Sequence, residues 1–326
     1  MTDPHPHPLP VPRGWYALAF SHELPRGALE RRVLGGRELV VFRTERGELG
    51  ALDAYCPHLG AHLGHGGRVV GECVRCPFHG FAFDRTGACA ATPYRKRLPK
   101  ARAGAVHVCE RHGVVLAWHD PAGAPPAFEV PELDMAGYTP LQTRLFSLRG
   151  HPQETSENSV DTGHLSEVHG YTAVDTLRPA RAEGPYLNAR YTMTRRIGHG
   201  PLGLDLRTEF EVNLHGLGYS FVQVEAEFGA RMRQFVLSTP TEPGRIDLRI
   251  ACAFGVPRVA PSLRALDPGR LAGEAGNRFL IEAFARDVGQ DFEIWRHKRY
   301  FHPPALAEGD GPVGLYRRWA SQFYAA

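Results

Sequence analysis

Two kinds of hydrophobic pattern divide the chain. Up to His119, short apolar runs such as residues 113–118 are bounded by glycines and charged residues. Runs of this kind are typical of short strands separated by turns. Between residues 187 and 254, longer segments alternate apolar and polar positions, as in residues 219–225 and 245–250. That period of two predicts an antiparallel sheet with one face against a core.

Helical patterns flank the predicted sheet. One runs through residues 154–169, and another runs from about residue 274 to residue 299. In the second pattern four apolar side chains share one face: Phe284, Val288, Phe292 and Trp295. A sheet wrapped around helices encloses an apolar cavity. We therefore expect an α+β chain, with an N-terminal all-β domain followed by a domain whose antiparallel sheet surrounds helices in a helix-grip-like arrangement.

Composition breaks predict the domain boundaries. Residues 1–13 alternate Pro and His without an apolar run, which predicts a disordered leader that is neither a signal peptide nor a membrane anchor. The Pro- and Gly-rich stretch after His119 predicts a linker over residues 121–133. The first domain is then expected over residues 14–120 and the second over residues 134–326.

Charge and cysteine usage narrow the function classes. The 326 residues carry 38 Lys and Arg against 35 Asp and Glu, a net charge of +3 that is too small and scattered for nucleic-acid binding. Six cysteines in a chain of this length do not form the framework of a secreted disulfide protein. We therefore expect a cytoplasmic protein with four reduced structural thiols: Cys73, Cys89, Cys109 and Cys252.

A Cys–His pair occurs twice at close spacing. Cys56 and His58 are followed, after seventeen intervening residues, by Cys76 and His79. Two thiolates on one iron and two imidazoles on the other make a Rieske-type [2Fe–2S] cluster, whose reduction potential lies above that of an all-cysteine cluster. Structural zinc uses the same ligand types, and Cys73 with Cys76 would supply a Cys–x–x–Cys pair. Zinc fingers group Cys with Cys and His with His, so the mixed loops favour the cluster.

A second group of metal ligands follows about eighty residues downstream. On a helix that turns about 100° per residue, His164 and His169 flank Asp161 within an arc of roughly 140°, with Asn158 on the same side. Two imidazoles and a carboxylate form the facial triad of non-haem iron(II) oxygenases, which leaves positions open for oxygen. Because the arc is wide for one straight helix, we expect a bend or an end near Gly163 or Gly170.

The second predicted helix offers three carboxylates as the third iron ligand. Asp291 points into the apolar stripe, whereas Glu293 lies on the opposite, solvent side and Asp287 lies at the stripe's edge. A buried carboxylate needs a cation or a metal as partner. We therefore predict Asp291 as the ligand; the alternative is a buried acid paired with Arg or His.

Over residues 15–324 the chain resembles the Rieske non-haem iron oxygenases. Within that family it is most similar to the steroid-acting branch of bacterial 3-ketosteroid 9α-hydroxylase oxygenase components and cholesterol 7-desaturases. Four stretches carry the likeness: residues 157–169, 290–298, 310–312 and 317–324. One departure is the absence of an N-terminal membrane segment like that of the animal desaturases.

The resemblance implies roles for the candidate residues. Asp161, with Asn158 beside it, would bridge a cluster histidine of a neighbouring subunit to His164, which requires the family's head-to-tail trimer. Electrons would come from a separate NAD(P)H-dependent reductase or ferredoxin, consistent with the lack of a dinucleotide fingerprint in the sequence. The implied ligands of the cluster are Cys56, His58, Cys76 and His79, and those of the mononuclear Fe(II) are His164, His169 and Asp291.

The predicted reaction is the O2-dependent oxidation of a C–H bond of a sterol or steroid. It is either a desaturation, such as cholesterol 7-desaturation, or a hydroxylation, such as that of a 3-ketosteroid at the 9α position. The alternatives are an oxygenase or O-demethylase of a smaller aromatic substrate, a Rieske electron-transfer protein, and a zinc-bound module for hydrophobic ligands. Four aromatic side chains either line the substrate pocket or fill the core, and the core is favoured: Tyr219, Phe221, Phe228 and Phe235.

Overall fold

The computed structural model describes residues 7–94, 96–197, 203–227, 229–255 and 268–324. The chain forms two compact units. The first unit consists of Arg13–Glu132 and Thr239–Pro243, and the second unit contains the rest of the chain. Residues 239–243 join the first unit because the backbone N–H of Gly35 donates to the carbonyl of Pro240 at 2.8 Å. The domain boundaries expected from the sequence stay a prediction.

The described residues of the first unit form three antiparallel sheets, ordered β1-β10-β9, β2-β3-β4 and β5-β6-β7-β8. The strands are β1 (Gly14–Phe20), β2 (Leu29–Leu34), β3 (Arg37–Arg43), β4 (Leu49–Asp53), β5 (Arg68–Val70), β6 (Cys73–Arg75), β7 (Ala82–Phe83), β8 (Cys89–Ala91), β9 (Val108–Arg111) and β10 (Val114–His119). One core cluster surrounds Tyr16 and Val41, and another contains Phe42 and Phe83 together with the thiols of Cys56 and Cys76. The prediction of an all-β first region is confirmed.

A seven-stranded antiparallel sheet dominates the second unit, in the order β11-β17-β16-β15-β14-β13-β12. Its strands are β11 (Gln142–Arg149), β12 (Thr172–Glu183), β13 (Tyr186–Ile197), β14 (Leu204–His215), β15 (Tyr219–Ala226), β16 (Arg231–Pro240) and β17 (Arg245–Gly255). Alternate residues of β17, namely Ile246, Leu248 and Ile250, are buried in one core cluster with the apolar stripe of the C-terminal helices. The predicted sheet that packs on helices is confirmed.

Both predicted helices are interrupted. The first is α1 (Pro152–Glu157) followed by α2 (Thr162–Glu167). The break comes before Gly163, because the Asp161 carboxylate accepts from the backbone N–H of His164 at 3.2 Å and begins a new helix. The C-terminal end does lie near Gly170, whose φ is +69°.

The predicted C-terminal helix is also two helices. It consists of α3 (Pro268–Gln290) and α4 (Phe292–His297), with Asp291 between them. A last helix, α5 (Val313–Ala320), follows. Among the described helices, none combines the length and the apolar character that a membrane crossing requires.

Residues 7–12 differ from the predicted disordered leader; residues 1–6 of that leader lie outside the described residues. The His7 ring stacks on His151 at 3.9 Å, and its Nε2 lies 3.2 Å from Oε1 of the buried Glu154. His151 Nε2 lies 3.2 Å from the carbonyl oxygen of Pro10. These contacts join positions more than 140 residues apart, so local composition does not reveal them.

Candidate functional site

Two nearly identical turns present the first group of ligands. In one, the N–H of Gly60 donates to the carbonyl of Cys56 at 2.9 Å; in the other, the N–H of Gly80 donates to the carbonyl of Cys76 at 3.2 Å. Gly60 and Gly80 have φ values of +75° and +68°, which only glycine adopts without strain. Each turn therefore places one cysteine and one histidine at a loop tip.

The two loops bring like ligands together. Cys56 and Cys76 are 2% and 3% exposed, and burial together with the neighbouring Cys76 thiol raises the pKa of Cys56 to about 11. The rings of His58 and His79 are partly exposed, with their centroids 4.8 Å apart. Two adjacent buried thiols and two adjacent imidazoles fit a cluster that takes sulfur on one iron and nitrogen on the other.

Cys73 does not take part in this group. It begins β6, whereas Cys76 follows the end of that strand. Burial and the nearby Asp84, Glu72 and Cys89 raise the pKa of its thiol. The zinc alternative that uses Cys73 therefore finds no support in the described residues.

The second group consists of His164 in α2, His169 just after it and Asp291 between α3 and α4. Their ligand atoms lie within 4.8 Å of one another, and they form the one such group of three that the described residues contain. His169 Nε2 is 3.5 Å from Asp291 Oδ2, and both side chains are 8% exposed. Two ligands with metal bonds of ~2.1 Å lie roughly 3 to 3.5 Å apart when the bond angle is 90–110°. The spacing therefore fits a bound ion.

Each histidine of this group is held through its Nδ1 atom. His164 Nδ1 donates to the backbone carbonyl of Asp161 at 2.5 Å, and His169 Nδ1 donates to Oε1 of Gln290 at 2.9 Å. With Nδ1 protonated, Nε2 keeps its lone pair for a metal. Gln290 had no role predicted from the sequence, although its position directly before Asp291 was a signal.

The surroundings of His164 and His169 shift the pKa values of the two imidazoles in opposite directions. Burial lowers the pKa of His164. Burial also acts to lower the pKa of His169, but the adjacent Asp291 carboxylate and the hydrogen bond to Gln290 outweigh it and raise the pKa above its usual value. The Asp291 carboxylate is thus the negative charge around which the group is organised.

The two other candidate carboxylates have different partners. Asp287 forms an ion pair with Arg195 and accepts from the hydroxyl of Tyr171 at 3.3 Å. Glu293 is 68% exposed and pairs with Arg296 and His297 at 2.9 Å. Of the three acids, the structure brings only Asp291 to the two histidines.

Asp161 and Asn158 lie at the break between α1 and α2. The Asp161 side chain is one-third exposed, and its Oδ1 is 3.9 Å from His164 Nδ1. Asn158 is partly buried at the C-terminal end of α1. The Asp161 carboxylate therefore lies beside His164 and remains accessible to solvent.

The aromatic side chains considered for a pocket lie in the core of the second unit. Tyr219, Phe221 and Phe235 are at most 3% exposed, and the rings of Phe221 and Phe235 lie 6.2 Å apart. Phe228 lies outside the described residues. The core assignment holds for the three that are described.

A small β-domain with paired Cys–His loops, followed by a sheet-and-helix domain with a two-His, one-carboxylate group, defines a Rieske-type oxygenase. A model of the Rieske [2Fe-2S] domain matches residues 14–102, and a model of the 3-ketosteroid 9alpha-hydroxylase C-terminal domain matches residues 117–324. The chain belongs to the Rieske oxygenases that carry this C-terminal domain.

Similar proteins come from animals and bacteria. Cholesterol 7-desaturase of Bombyx mori is 31% identical over 98% of this chain and 70% of its own length. The oxygenase component of 3-ketosteroid-9-alpha-monooxygenase of Rhodococcus rhodochrous is 29% identical over 99% of this chain and 86% of its own.

Solved structures share the fold. Dicamba monooxygenase bound to dicamba is similar with a TM-score of 0.68 and 19% identity, covering 97% of this chain and 98% of that one. NdmA of Pseudomonas putida CBB5 with caffeine has a TM-score of 0.69 and 18% identity, covering 94% and 89%. At these identities the likeness concerns the fold alone.

Proposed function

We propose that this chain is an oxygenase component that uses O2 and electrons from a separate reductase to oxidise a C–H bond of a sterol or steroid. The observation that carries the proposal is the grouping of His164, His169 and Asp291 within 4.8 Å, in a chain that also carries the paired Cys–His loops. A protein that only transfers electrons has no use for a second group of metal ligands.

The proposed ligand sets follow from the two groups. Cys56, His58, Cys76 and His79 hold the [2Fe–2S] cluster, and His164, His169 and Asp291 hold a mononuclear iron. Iron(II) bound there would bind and activate O2 with an electron delivered by the cluster. The protein's own task is to fix the imidazoles through Asp161 and Gln290, to neutralise the iron's charge with one buried carboxylate, and to position the substrate.

We further propose that Asp161 carries electrons between subunits. Its exposed carboxylate beside His164 is available to a cluster histidine of a neighbouring subunit, with Asn158 next to it at the helix break. This role requires the head-to-tail trimer that the family resemblance implies. The domain division at residues 14–120 and 134–326 and a cytoplasmic location belong to the same proposal.

The substrate class rests on the named relatives, which act on cholesterol and on 3-ketosteroids. Hydroxylation consumes one O2, two electrons and two protons, and leaves one alcohol and one water. Desaturation consumes the same reactants, removes two substrate hydrogens and leaves an alkene and two waters. Both begin by removing one hydrogen, so the position of the second hydrogen relative to the oxidant decides between them.

Turnover with a defined substrate panel tests the proposal. The protein is combined with a reductase, NADH and O2, and products of cholesterol, a 3-ketosteroid and a methoxylated benzoate are identified by mass spectrometry. We expect oxidation of a steroid-ring compound and none with Asp291→Ala. Oxidation of the benzoate alone would favour the small-aromatic alternative, whereas no oxidation of any sterol or steroid would overturn the substrate class.

A further inference from the structure

A charged cluster lies beside the three proposed iron ligands, next to His169. The Tyr171 hydroxyl donates to Asp287 Oδ2 at 3.3 Å, and Arg195 forms an ion pair with the same oxygen. The Arg195 guanidinium also lies over the Tyr171 ring, 5.2 Å from its centroid. The Tyr171 ring is in turn 6.3 Å from the ring of His169. One aromatic ring therefore separates the Arg195–Asp287 pair from a proposed iron ligand.

Helix α3 carries Asp287 on the face that meets the iron ligands. Gln290 and Asp291 follow Asp287 by three and four residues, and side chains at these spacings lie on one face of a helix. Gln290 accepts the hydrogen bond from His169, and Asp291 is itself a proposed ligand. The Asp287 carboxylate is therefore about one helical turn from the Asp291 carboxylate.

Strand β13 brings Arg195 to the same place. Arg195 is opposite Leu206 of β14, and Phe210 lies four residues further along β14, on the same face of the sheet. The Phe210 ring is 6.1 Å from the Tyr171 ring, so this face of the sheet is the one that meets the iron ligands. The side chain of Arg196, the next residue of β13, points to the opposite face.

The pair keeps hydrogen-bonding groups that the described part of the chain does not use. Within that part, its hydrogen bonds involve only Oδ2 of Asp287 and Nη1 of Arg195. Oδ1 of the carboxylate, and Nε and Nη2 of the guanidinium, have no partner there. The Asp287 and Arg195 side chains are 18% and 38% exposed, so the pair is accessible. An accessible ion pair contributes little to stability, and its unused groups are available to a ligand.

The unused groups match an alcohol. A carboxylate only accepts hydrogen bonds and a guanidinium only donates them, whereas a hydroxyl does both. One hydroxyl can therefore donate to Asp287 and accept from Arg195 at the same time. A ketone oxygen can accept from Arg195 but leaves Asp287 without a donor. A hydrocarbon ring that covers the pair leaves both charged groups without a partner, which weakens binding.

We propose that Arg195 and Asp287 recognise a hydroxyl group on the ring system of the substrate. The inference rests on the proposed function, in which the substrate is a sterol or steroid, and it narrows that class to ring alcohols. Because most of the surface of such a molecule is apolar, one polar anchor decides which end lies at the pair. The distance from that anchor to the iron ligands then determines which carbon is presented for oxidation.

Equilibrium binding without any electron donor tests the proposal. The holoprotein takes up cholestanol, cholestan-3-one or cholestane from a cyclodextrin carrier, and the bound compound is quantified by mass spectrometry. These probes share one saturated skeleton and carry a hydroxyl, a ketone or no oxygen at the same ring carbon. The test variant is Arg195→Met. The control is Arg196→Met, which removes a guanidinium from the neighbouring position on the opposite face, where Arg196 pairs with Asp205 at 3.3 Å.

We expect the wild type to bind the alcohol about 10- to 100-fold more tightly than the hydrocarbon, as hydrogen bonds to charged groups provide, with the ketone between them. In Arg195→Met the Kd for the alcohol should rise at least about tenfold, while the Kd for the hydrocarbon stays within about twofold. Arg196→Met should leave every Kd within about twofold of wild type. A purely structural role of Arg195 would instead weaken the binding of all three compounds alike.

Asp287→Asn is a second variant, and it keeps the size of the side chain. Its amide can donate to a ketone, so the preference for the alcohol over the ketone should shrink or reverse.

Three results would overturn recognition by the pair: equal binding of the alcohol and the hydrocarbon by the wild type, tightest binding of the ketone by the wild type, or equal losses for all three compounds in Arg195→Met. The ranking by the wild type requires no folded variant. If the wild type binds none of the three compounds, the proposed substrate class fails together with this inference, so the two failures are distinguishable.

Discussion

The hydrogen bond between His169 and Gln290 leads to a quantitative prediction. Replacing Gln290 by Leu removes the acceptor for His169 Nδ1 while keeping a side chain of similar size and helix propensity. Removing the outer partner of a histidine ligand typically weakens metal binding about 10- to 100-fold.

The structure places the expected effect at the lower end of that range. Gln290 is exposed, so water can replace part of the lost hydrogen bond, whereas the His169 side chain is only 8% exposed. We therefore expect the dissociation constant for iron(II) to rise about tenfold, or ~1.4 kcal/mol. Anaerobic titration of iron-depleted protein against a competing chelator measures it.

A matched variant separates the lost acceptor from a general disturbance. Gln290→Glu keeps an acceptor at the same position and should bind iron(II) as tightly as wild type or more tightly, since a charged acceptor makes the stronger hydrogen bond. An unchanged affinity in Gln290→Leu, or an equal loss in both variants, would refute the positioning role of Gln290.

Three further changes have defined outcomes. Asp291→Ala should lose the mononuclear iron while the cluster colour survives; full iron content would place the third ligand elsewhere. Asp161→Ala should retain both metals but stop turnover, and Asp161→Asn, which keeps the helix cap worth about 1 kcal/mol, should behave alike; normal coupled activity would contradict the bridging role. Arg317→Met leaves the buried Glu157 without its bidentate partner at 2.7 and 2.8 Å, and should cost about 3–5 kcal/mol of unfolding free energy. Denaturant unfolding measures that cost, and the exposed-pair variant Arg296→Met should lose less than about 1 kcal/mol.

The sequence predicted those parts of the site that depend on local chemistry. The cluster loops are local because each needs a cysteine, a nearby histidine and a glycine with positive φ. Asp291 was also predictable, since its place in the apolar stripe follows from helical periodicity alone. A bend or an end near Gly163 or Gly170 was predicted, and the interruption lies just before Gly163, where Asp161 in the N-cap position begins the second helix.

Contacts between distant residues were not predictable from one sequence. Gln290 and His169, which form a hydrogen bond, are 121 positions apart, and Asp287 and Arg195, which form an ion pair, are 92 positions apart. The contact between His7 and Glu154 likewise depends on how the chain folds back on itself. Periodicity shows which face of a helix is buried, but it does not show which polar group from another element meets that face.

The central claim is that one chain carries a Rieske cluster and a separate iron site. EPR of the dithionite-reduced protein, with iron quantified on the same sample, tests this most directly. We predict a Rieske-type signal and about three irons per chain, two in the cluster and one at the His164–His169–Asp291 group. A Rieske signal with only about two irons per chain after iron(II) reconstitution, or bound zinc with no signal, would contradict the account.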